Sequence, residues 1–310
     1  LDSGDLTETV HNVLVYQSLK DGTVGKYQDD LNSNWSTIDP EADAKEILSA
    51  IKSGGNGLKF NPDTMTFSVS SIKVYENCPK QYELQNILRM PTRASEDSTG
   101  AMNLGSFVHK VCEIAVEDKI STKDEMYRIA NDLITKSEWK GVDLTRAKPL
   151  FEVFWLRNGS RIKDNLFVEK RFSVPIEGFI FKGFIDRIDL LPGTENEVEI
   201  IDYKSGKTEP NPDDRSKQLL LYAHGFNHLY PDYVVRKLTL DMLARDKPRV
   251  YELQDDGNYT GDRVKPLDLG VIERMAETAR KIAHDYEHGF KMIDDEAVCG
   301  DCGYRLYCGE

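Results

Sequence analysis

The sequence lacks long hydrophobic runs. No uninterrupted stretch of eighteen apolar residues occurs in its 310 residues, so we expect no transmembrane helix. The N-terminal region also lacks the basic segment followed by an apolar segment that is typical of a signal peptide. The chain opens with Leu-Asp-Ser-Gly rather than Met, which we interpret as a boundary within a larger polypeptide. Five cysteines are too few for a disulfide-stabilised scaffold of this length.

Positive charge is also scarce. Lysine and arginine number 40 against 53 acidic residues, which gives a net charge of −13. This balance argues against a nonspecific nucleic-acid coat, although it leaves room for a local basic groove or a carboxylate site that binds metal ions. Hydrophobic residues make up 39% of the chain, which is enough for a sizeable core and excludes wholesale disorder.

The pattern of apolar and polar residues divides the chain into two parts. We predict that residues 1–65 form a helical N-terminal segment of unknown role, and that residues 66–310 form one domain closed by a cysteine-containing tail. Apolar spacing of three to four residues predicts helices, and β-branched runs bounded by turn residues predict strands. The helices are expected at 71–90 with a break at Pro79, 102–116, 123–163, 211–230 and 268–289, and the strands at 166–174, 179–191, 197–204, 237–244 and 249–254. This order predicts an α/β fold with a central mixed sheet flanked by helices.

Two acidic strand segments carry the strongest chemical signal. Asp186 lies in Gly-Phe-Ile-Asp-Arg-Ile-Asp, and Asp202 and Lys204 lie in Ile-Ile-Asp-Tyr-Lys-Ser-Gly. Residues two apart in a strand share a face, so Asp202 and Lys204 point the same way, and a hairpin would bring Asp186 beside Asp202. Two carboxylates and a backbone carbonyl suit Mg²⁺ or Mn²⁺. A lysine on the same face could steady an attacking water or a phosphoryl oxygen.

The alternative interpretation is a solvated strand face with a surface ion pair. That is the commoner meaning of an isolated Asp-x-Lys. Here the flanking residues are strongly apolar, and charges within apolar runs are costly unless they are paired. Two neighbouring carboxylates would also repel each other without a cation, so we favour a metal site.

Three cysteines crowd the C-terminus as C-x₂-C-x₅-C. Cys299, Cys302 and Cys308 could close on a single metal ion or on a cluster, and Cys78 is the natural fourth ligand. Four thiolates around Zn²⁺ are the generic alternative, and disulfides are the alternative in an oxidising compartment. Cys112 fits no part of this pattern, and we expect it to be a buried thiol.

The combined motifs resemble the PD-(D/E)XK nuclease superfamily, specifically its RecB-like branch. That branch shows a histidine in an early helix, then G-x-x-D-R-x-D, D-Y-K-[ST]-G and Q-[LM]-x-x-Y. The resemblance covers about residues 68–310 and implies a restriction-endonuclease-like core. Its matching positions are His109, Asp186, Asp202, Lys204, Gln218 and Tyr222, with Glu169 at an acidic position often seen one strand earlier.

The resemblance implies roles for these residues. Asp186 and Asp202 would be metal ligands, with His109 as an additional one, and Lys204 would be the catalytic lysine. Gln218 and Tyr222 would position the DNA or the active-site strand. For His109 the alternative is an ordinary surface or core histidine, for Tyr222 it is core packing, and for Glu169 it is an ion pair with its neighbour Lys170.

The resemblance also implies a cofactor. Several RecB-like nucleases, including AddB-type and CRISPR-associated ones, hold a [4Fe–4S] cluster with one cysteine before the nuclease core and three after it. Cys78, Cys299, Cys302 and Cys308 match both halves of that pattern. We therefore expect a [4Fe–4S] cluster that ties the tail to the first helix of the domain, with zinc as the alternative.

The implied function is a Mg²⁺- or Mn²⁺-dependent deoxyribonuclease, most simply an exonuclease on single-stranded DNA or DNA ends in repair, recombination or processing. RecB-like domains often accompany helicases, but this sequence contains no Walker A pattern, so a motor would lie outside the chain. We expect an intracellular, reducing location. The competing hypothesis is a non-catalytic or redox-sensing iron–sulfur module that binds DNA. Candidate phosphate contacts are Lys73, Lys80, Arg89, Arg93, Lys110, Arg187 and Lys207.

Overall fold

A computed structural model describes residues 65–90, 96–136, 139, 141–300 and 302–308. Residues 1–64 of the predicted helical segment lie outside the described residues, as does Arg93, so those expectations stay predictions. The described chain forms two compact units. One contains the central sheet and runs through residues 66–69 and 96–276, and the other contains residues 70–90 and 277–308.

Within the described residues, the sheet unit holds seven strands and four complete helices. Its strands are β1 (Thr66–Phe67), β2 (Asn165–Ile176), β3 (Phe179–Leu190), β4 (Glu197–Lys204), β5 (Val234–Met242), β6 (Arg249–Leu253) and β7 (Tyr259–Thr260). Its helices are α3 (Glu96–Glu117), α4 (Lys123–Lys136), α5 (Leu144–Asn158) and α6 (Pro212–Leu229). Two helices, α1 (Val69–Asn77) and α7 (Val271–His288), run from this unit into the other.

Strand β3 is the hub of the sheet. Along one edge it pairs antiparallel with β2 over nearly its whole length. Along the other edge it pairs parallel with β1 near its start and antiparallel with β4 near its end. The sheet continues from β4 through parallel β5 to antiparallel β6 and β7. The predicted mixed sheet flanked by helices is therefore confirmed.

One face of the sheet is covered by the first three helices of this unit. Their apolar residues meet the inward-facing Ile201 and Tyr203 of β4 in a buried cluster. Cys112 is fully buried in the same cluster, which confirms the expected buried thiol. The opposite face carries α6, which the sequence marks with Asn211 as its N-cap and Pro212 as its first residue; this arrangement is typical of a helix start.

The second unit is small and built from short helices. The sequence Cys78-Pro79 interrupts the first helix, so that α2 (Pro79–Tyr82) and a π-helical turn (Glu83–Ile87) follow α1. Two further short helices, α8 (Glu296–Cys299) and α9 (Arg305–Cys308), close the described chain. The predicted break at Pro79 is confirmed. None of the helices in the described parts of the chain combines the length and apolar character that crossing a membrane requires.

The helical prediction for residues 123–163 is confirmed over most of its length. The described residues of this stretch form two helices, α4 and α5, followed by a 3₁₀ segment from Gly159 to Asp164. Asp143 caps the start of α5 by accepting a hydrogen bond from the Thr145 amide at 2.8 Å. A side-chain acceptor at this position satisfies a free helix donor and starts a new helix.

The sheet packs closely against α6 at two glycines. Gly183 in β3 and Gly225 in α6 both face the ring of Phe172 in β2. A Cβ atom at Gly225 would overlap that ring, and one at Gly183 would lie 2.7 Å from it. Phe172 itself is buried, so the ring has little room to move.

We expect Gly225→Ala to destabilise the protein. Alanine normally stabilises a helix by about 1 kcal/mol relative to glycine, but overlap with Phe172 should outweigh this gain and cost about 1–3 kcal/mol. Urea unfolding measures the difference. Gly206→Ala is the control, because a Cβ there meets nothing within 4 Å; equal stability of the two variants would contradict the close packing.

Candidate active site

The site lies where β3 and β4 separate. The last ladder pair between them joins Arg187 to Ile201. One residue beyond it, the carboxylate of Asp186 accepts a hydrogen bond from the Tyr203 amide at 2.7 Å. In a continuing ladder this amide would bond a backbone carbonyl. The Asp186 side chain therefore takes the place of a backbone carbonyl in this hydrogen bond. We call the point where the strands separate, at Asp186 of β3 and Asp202 to Lys204 of β4, the fork.

Three potential ligand side chains converge at this fork. His109 from α3, Glu169 from β2 and Asp186 from β3 place one ligand atom each within 4.8 Å of one another. His109 Nδ1 lies 3.4 Å from Asp186 Oδ2. All three residues are partly exposed, so a ligand could reach them. The structure thus brings together residues that are 60 and 17 positions apart in the sequence.

Glu169 reaches this group through an unusual backbone conformation. Its φ angle is 45°, in the left-handed region, although its neighbours Val168 and Lys170 pair with β3. Such a conformation costs about 1–3 kcal/mol for a residue with a side chain and is concentrated at functional sites. The distortion re-aims the Glu169 side chain toward Asp186 and His109.

Asp202, the second acid of the fork, belongs to a chain of polar side chains that also contains Lys204, Gln218 and Tyr222. Asp202 is 1% exposed, and its Oδ2 lies 2.6 Å from Lys204 Nζ. Its Oδ1 accepts a hydrogen bond from Gln218 Nε2 at 2.8 Å. The same nitrogen of Gln218 lies 3.0 Å from the hydroxyl of Tyr222, and Tyr222 packs edge-on against Phe172. The predicted shared face of Asp202 and Lys204 is confirmed by this geometry.

Burial and repulsion disfavour negative charge at this site. Burial, and then the Asp202 carboxylate, raise the pKa of Asp186 well above its usual value. Burial and the nearby Glu113 raise the pKa of Glu169. Burial lowers the pKa of His109, against the opposing field of Asp202. Without a bound cation the site therefore favours protonated acids and a neutral imidazole, the form of histidine that binds metals.

Lys204 behaves differently from these groups. Burial alone would lower the pKa of its ammonium, but the adjacent Asp202 carboxylate outweighs burial and raises it. The side chain is 27% exposed, so its charged end also meets solvent. Lys204 therefore remains a cation that faces the same opening as the acidic group.

The donor set fits a hard divalent cation. Carboxylate oxygens suit Mg²⁺ and Mn²⁺, and a neutral imidazole can complete the coordination sphere. Asp202 Oδ2 is buried and accepts no aligned hydrogen bond within the described protein, although Lys204 is close by. An acceptor of this kind is costly to bury unless a further partner binds it.

A buried ion pair supports the fork from the other face of the sheet. Arg187 is 0% exposed and donates to both oxygens of Asp189, at 2.6 and 2.7 Å. It also lies 3.4 Å from the Tyr203 hydroxyl and donates to the Arg161 carbonyl at 2.8 Å. Arg187 therefore links β3 to Tyr203, the residue whose amide donates to the Asp186 carboxylate.

Two of the candidate phosphate contacts are wrong. Arg187 is fully buried within the ion pair with Asp189, and Lys80 is 9% exposed and lies 2.5 Å from Glu83. Burial with a carboxylate partner removes both side chains from the surface that DNA could reach.

Sequence reasoning missed one acid of the site. Glu113 lies one helical turn after His109 on α3, and its charge raises the pKa of Glu169. Its carboxylate lies 2.6 Å from Lys110 Nζ. Residues four apart share a helix face, so the His109–Glu113 spacing was the signal that could have identified it.

The four tail-associated cysteines meet in the small unit. Cys78, Cys299, Cys302 and Cys308 all line one cavity of about 50 Å³. All four thiols are free. Burial, and then the neighbouring Cys78 and Cys302, raise the pKa of the Cys308 thiol. The structure therefore gathers the four cysteines that the sequence pattern grouped.

The fold and site define a class of protein. A mixed sheet flanked by helices, with an acidic fork at its centre, is a restriction-endonuclease-like fold. A family model described as the PD-(D/E)XK nuclease superfamily matches residues 66–309. The chain belongs to this superfamily, whose members are nucleases that use divalent metals such as Mg²⁺.

Comparison with solved structures gives a distant similarity. The structure titled "Crystal structure of SSO0001" is 16% identical to this chain, and the match covers 86% of this chain and 93% of that chain with a TM-score of 0.34. No curated protein matches the sequence.

We expect Asp186→Asn to stabilise the metal-free protein. A folded-state pKa above the unfolded value means that the acid stabilises the fold at low pH, and this contribution is lost as pH rises through the folded pKa. In EDTA, the variant should therefore melt a few degrees above the wild type at neutral pH, with the difference vanishing in acid, and Mn²⁺ should no longer raise its Tm. Thermal unfolding across pH measures both effects.

The control for this experiment is Asp118→Asn, which removes an exposed carboxylate of the same unit. We expect it to leave the Tm and its response to Mn²⁺ unchanged. An Asp186→Asn variant that melts below the wild type at neutral pH, or that keeps the full response to Mn²⁺, would contradict the role of this acid in the cation site.

Proposed function

We propose that the protein is a Mg²⁺- or Mn²⁺-dependent DNA nuclease that hydrolyses phosphodiester bonds. The observation that carries the proposal is the meeting of His109, Glu169 and Asp186 within 4.8 Å beside the Asp202–Lys204 pair. Membership of the nuclease superfamily supplies the reaction class. The acids, the histidine and the lysine of the motifs are all present in one partly exposed site.

In this proposal His109, Asp186 and Asp202 hold the catalytic metal, with Glu169 as a neighbouring acid. The bound metal would supply charge for the phosphate and lower the pKa of a water molecule. Because the pKa values of Asp186 and Glu169 are raised, protons compete with a cation for these two carboxylates. Occupancy of the site should therefore increase with pH.

Lys204 and the polar chain behind it have separate roles. The cationic Lys204 orients the attacking water and stabilises negative charge that develops on the phosphoryl oxygens. Gln218 holds Asp202 through a hydrogen bond of 2.8 Å and is near the Tyr222 hydroxyl. Since Tyr222 is 8% exposed, we assign it to positioning Gln218 rather than to contact with DNA.

For the substrate and the cellular role, we propose that the protein is an exonuclease on single-stranded DNA or DNA ends that acts in repair, recombination or processing. A net charge of −13 makes strong nonspecific DNA binding by this chain unfavourable. A helicase domain or subunit that delivers a strand would compensate for this weakness. We therefore propose that the nuclease works with such a motor inside the cell.

Asp202→Ala should abolish cleavage, because it removes a metal ligand and the partner of Lys204. We expect activity to fall at least about 10³-fold, within the range for loss of a main electrostatic contributor. End-labelled single-stranded and duplex DNA, with Mg²⁺, Mn²⁺ or EDTA, measures the loss, and the product ladder shows the polarity. Circular dichroism checks folding, and Asp202→Asn provides a variant of nearly unchanged shape.

Asp118→Ala is the matched control and should cleave as the wild type does. Persistence of metal-dependent cleavage in folded Asp202→Ala would overturn the assignment. Absence of cleavage from the wild type, together with DNA binding, would support the competing hypothesis of a non-catalytic or redox-sensing DNA-binding module.

We also propose that the four cysteines hold a [4Fe–4S] cluster. Their convergence on one cavity supports a shared metal group, and free thiols suit a reducing compartment. Four thiolates are the ligand set of both a [4Fe–4S] cluster and a structural zinc ion. The resemblance of the cysteine spacing to that of RecB-like nucleases is what favours the cluster.

Cys302→Ala should lose both the brown colour and part of the stability. The cluster would join the tail to the helices that begin this unit, so its loss should lower the Tm and remove the visible absorbance. Absorbance spectra, iron analysis and thermal unfolding measure this. Cys112→Ala is the control and should keep its colour, because Cys112 lies in the other unit. A colourless wild type that binds zinc would contradict the cluster.

A further inference from the structure

A second concave surface lies beside the candidate active site. It is a cleft of about 940 Å³ between α5, the loop after β4 and the loop after β5. Its apolar lining includes Leu104, Val153 and Leu156. Leu156 is 85% exposed, the highest value among the large hydrophobic residues of the described chain that remain in solvent. An apolar surface of this kind beside a polar rim is typical of a binding site.

The charge of the cleft is opposite to that of the chain. Its lining contains four basic residues, Arg146, Arg157, Lys207 and Arg245, against one acid, Asp246. Two of the four are paired with carboxylates, Arg157 with Asp241 and Arg245 with Glu209, so the basic character of the cleft comes from Arg146 and Lys207. The chain as a whole has a net charge of −13. Arg146 and Lys207 are exposed. A local basic surface on an acidic protein marks the place where a polyanion can approach it.

Part of the cleft is held rigid by an internal network. Arg157 lies 2.5 Å from the buried carboxylate of Asp241 and donates to the Met242 carbonyl at 3.1 Å. It also donates to the Arg245 carbonyl, and Arg245 donates to the Lys207 carbonyl at 3.1 Å. These bonds link the loop after β5 to the loop after β4. The hydrogen bonds of Arg157 therefore fix the shape of the cleft. Arg146 and Lys207 are the basic residues of the lining that we expect to bind a ligand.

The cleft is formed in part by chain segments that adjoin the residues of the catalytic fork. Ser205, Gly206 and Lys207, which line it, directly follow Lys204 in the chain. Leu104 on its wall precedes His109 by five residues of α3, about 7.5 Å along the helix axis. A Cβ at Gly105 would lie 3.1 Å from Ser205 Oγ, so helix and loop are in close contact.

We propose that this cleft binds the single-stranded DNA segment next to the scissile phosphate, with Arg146 and Lys207 on its phosphates and the aliphatic residues against its unpaired bases. The inference rests on the proposed nuclease function. It favours a single strand because a duplex presents phosphates outward and hides the faces of its bases, which would leave Leu156 and Val153 without apolar contact.

The test compares wild type with Arg146→Glu/Lys207→Glu. The KM for cleavage of a single strand of about 20 nucleotides should rise at least tenfold, because two phosphate contacts become repulsive. The ratio of KM values for strands of about 4 and about 20 nucleotides should shrink toward one, since the cleft contacts only the longer strand. The slope of log Kd against log salt, measured by fluorescence anisotropy in EDTA, should fall by about 1 to 2.

Lys148→Glu is the matched control. It reverses an exposed charge on the same helix but does not line the cleft, so its KM values should match the wild type. Equal effects of the control and the double variant, or an unchanged length ratio, would overturn the cleft assignment while the nuclease function stands. Equal weakening of blunt duplex and single strand would overturn the preference for a single strand. A wild type that neither cleaves nor binds DNA would overturn both proposals.

Discussion

The separation of β3 from β4 is the constraint on which the site depends. Beyond the Arg187–Ile201 pair, the Tyr203 amide bonds the Asp186 carboxylate at 2.7 Å instead of a backbone carbonyl. This bond fixes a partly buried acid against a second one, Asp202. Two such charges destabilise each other in a low-dielectric setting, so the fork stores a cost that a divalent cation relieves.

The structure supports this costly arrangement from both faces of the sheet. On one face the buried Arg187–Asp189 pair holds β3 and lies near the Tyr203 hydroxyl. On the other face Gln218 holds Asp202, and α6 is packed closely enough that Gly225 contacts the Phe172 ring. Breaking a buried ion pair by removing one partner is strongly destabilising, so the support of the site and the stability of the fold are linked.

The fold and the main site residues could be predicted because their signals are local. Alternation along β4 placed Asp202 and Lys204 on one face, and the structure puts their charged atoms 2.6 Å apart. The cap Asn211 and the break at Pro79 marked helix boundaries correctly. The helical pattern from 123 to 163 did not reveal the boundary between α4 and α5, because Asp143 can start a new helix without breaking the apolar period.

By itself, the sequence determined which strand face Asp202 and Lys204 share, because that property depends on spacing within one element. Tertiary structure alone decided the rest. It placed Glu169 in a left-handed conformation, put Glu113 near it and buried Arg187 completely. It also formed a basic cleft from four separated segments of an acidic chain. These features arise from packing between elements that are distant in sequence. The spacing of apolar residues within one helix or strand contains no information about such packing.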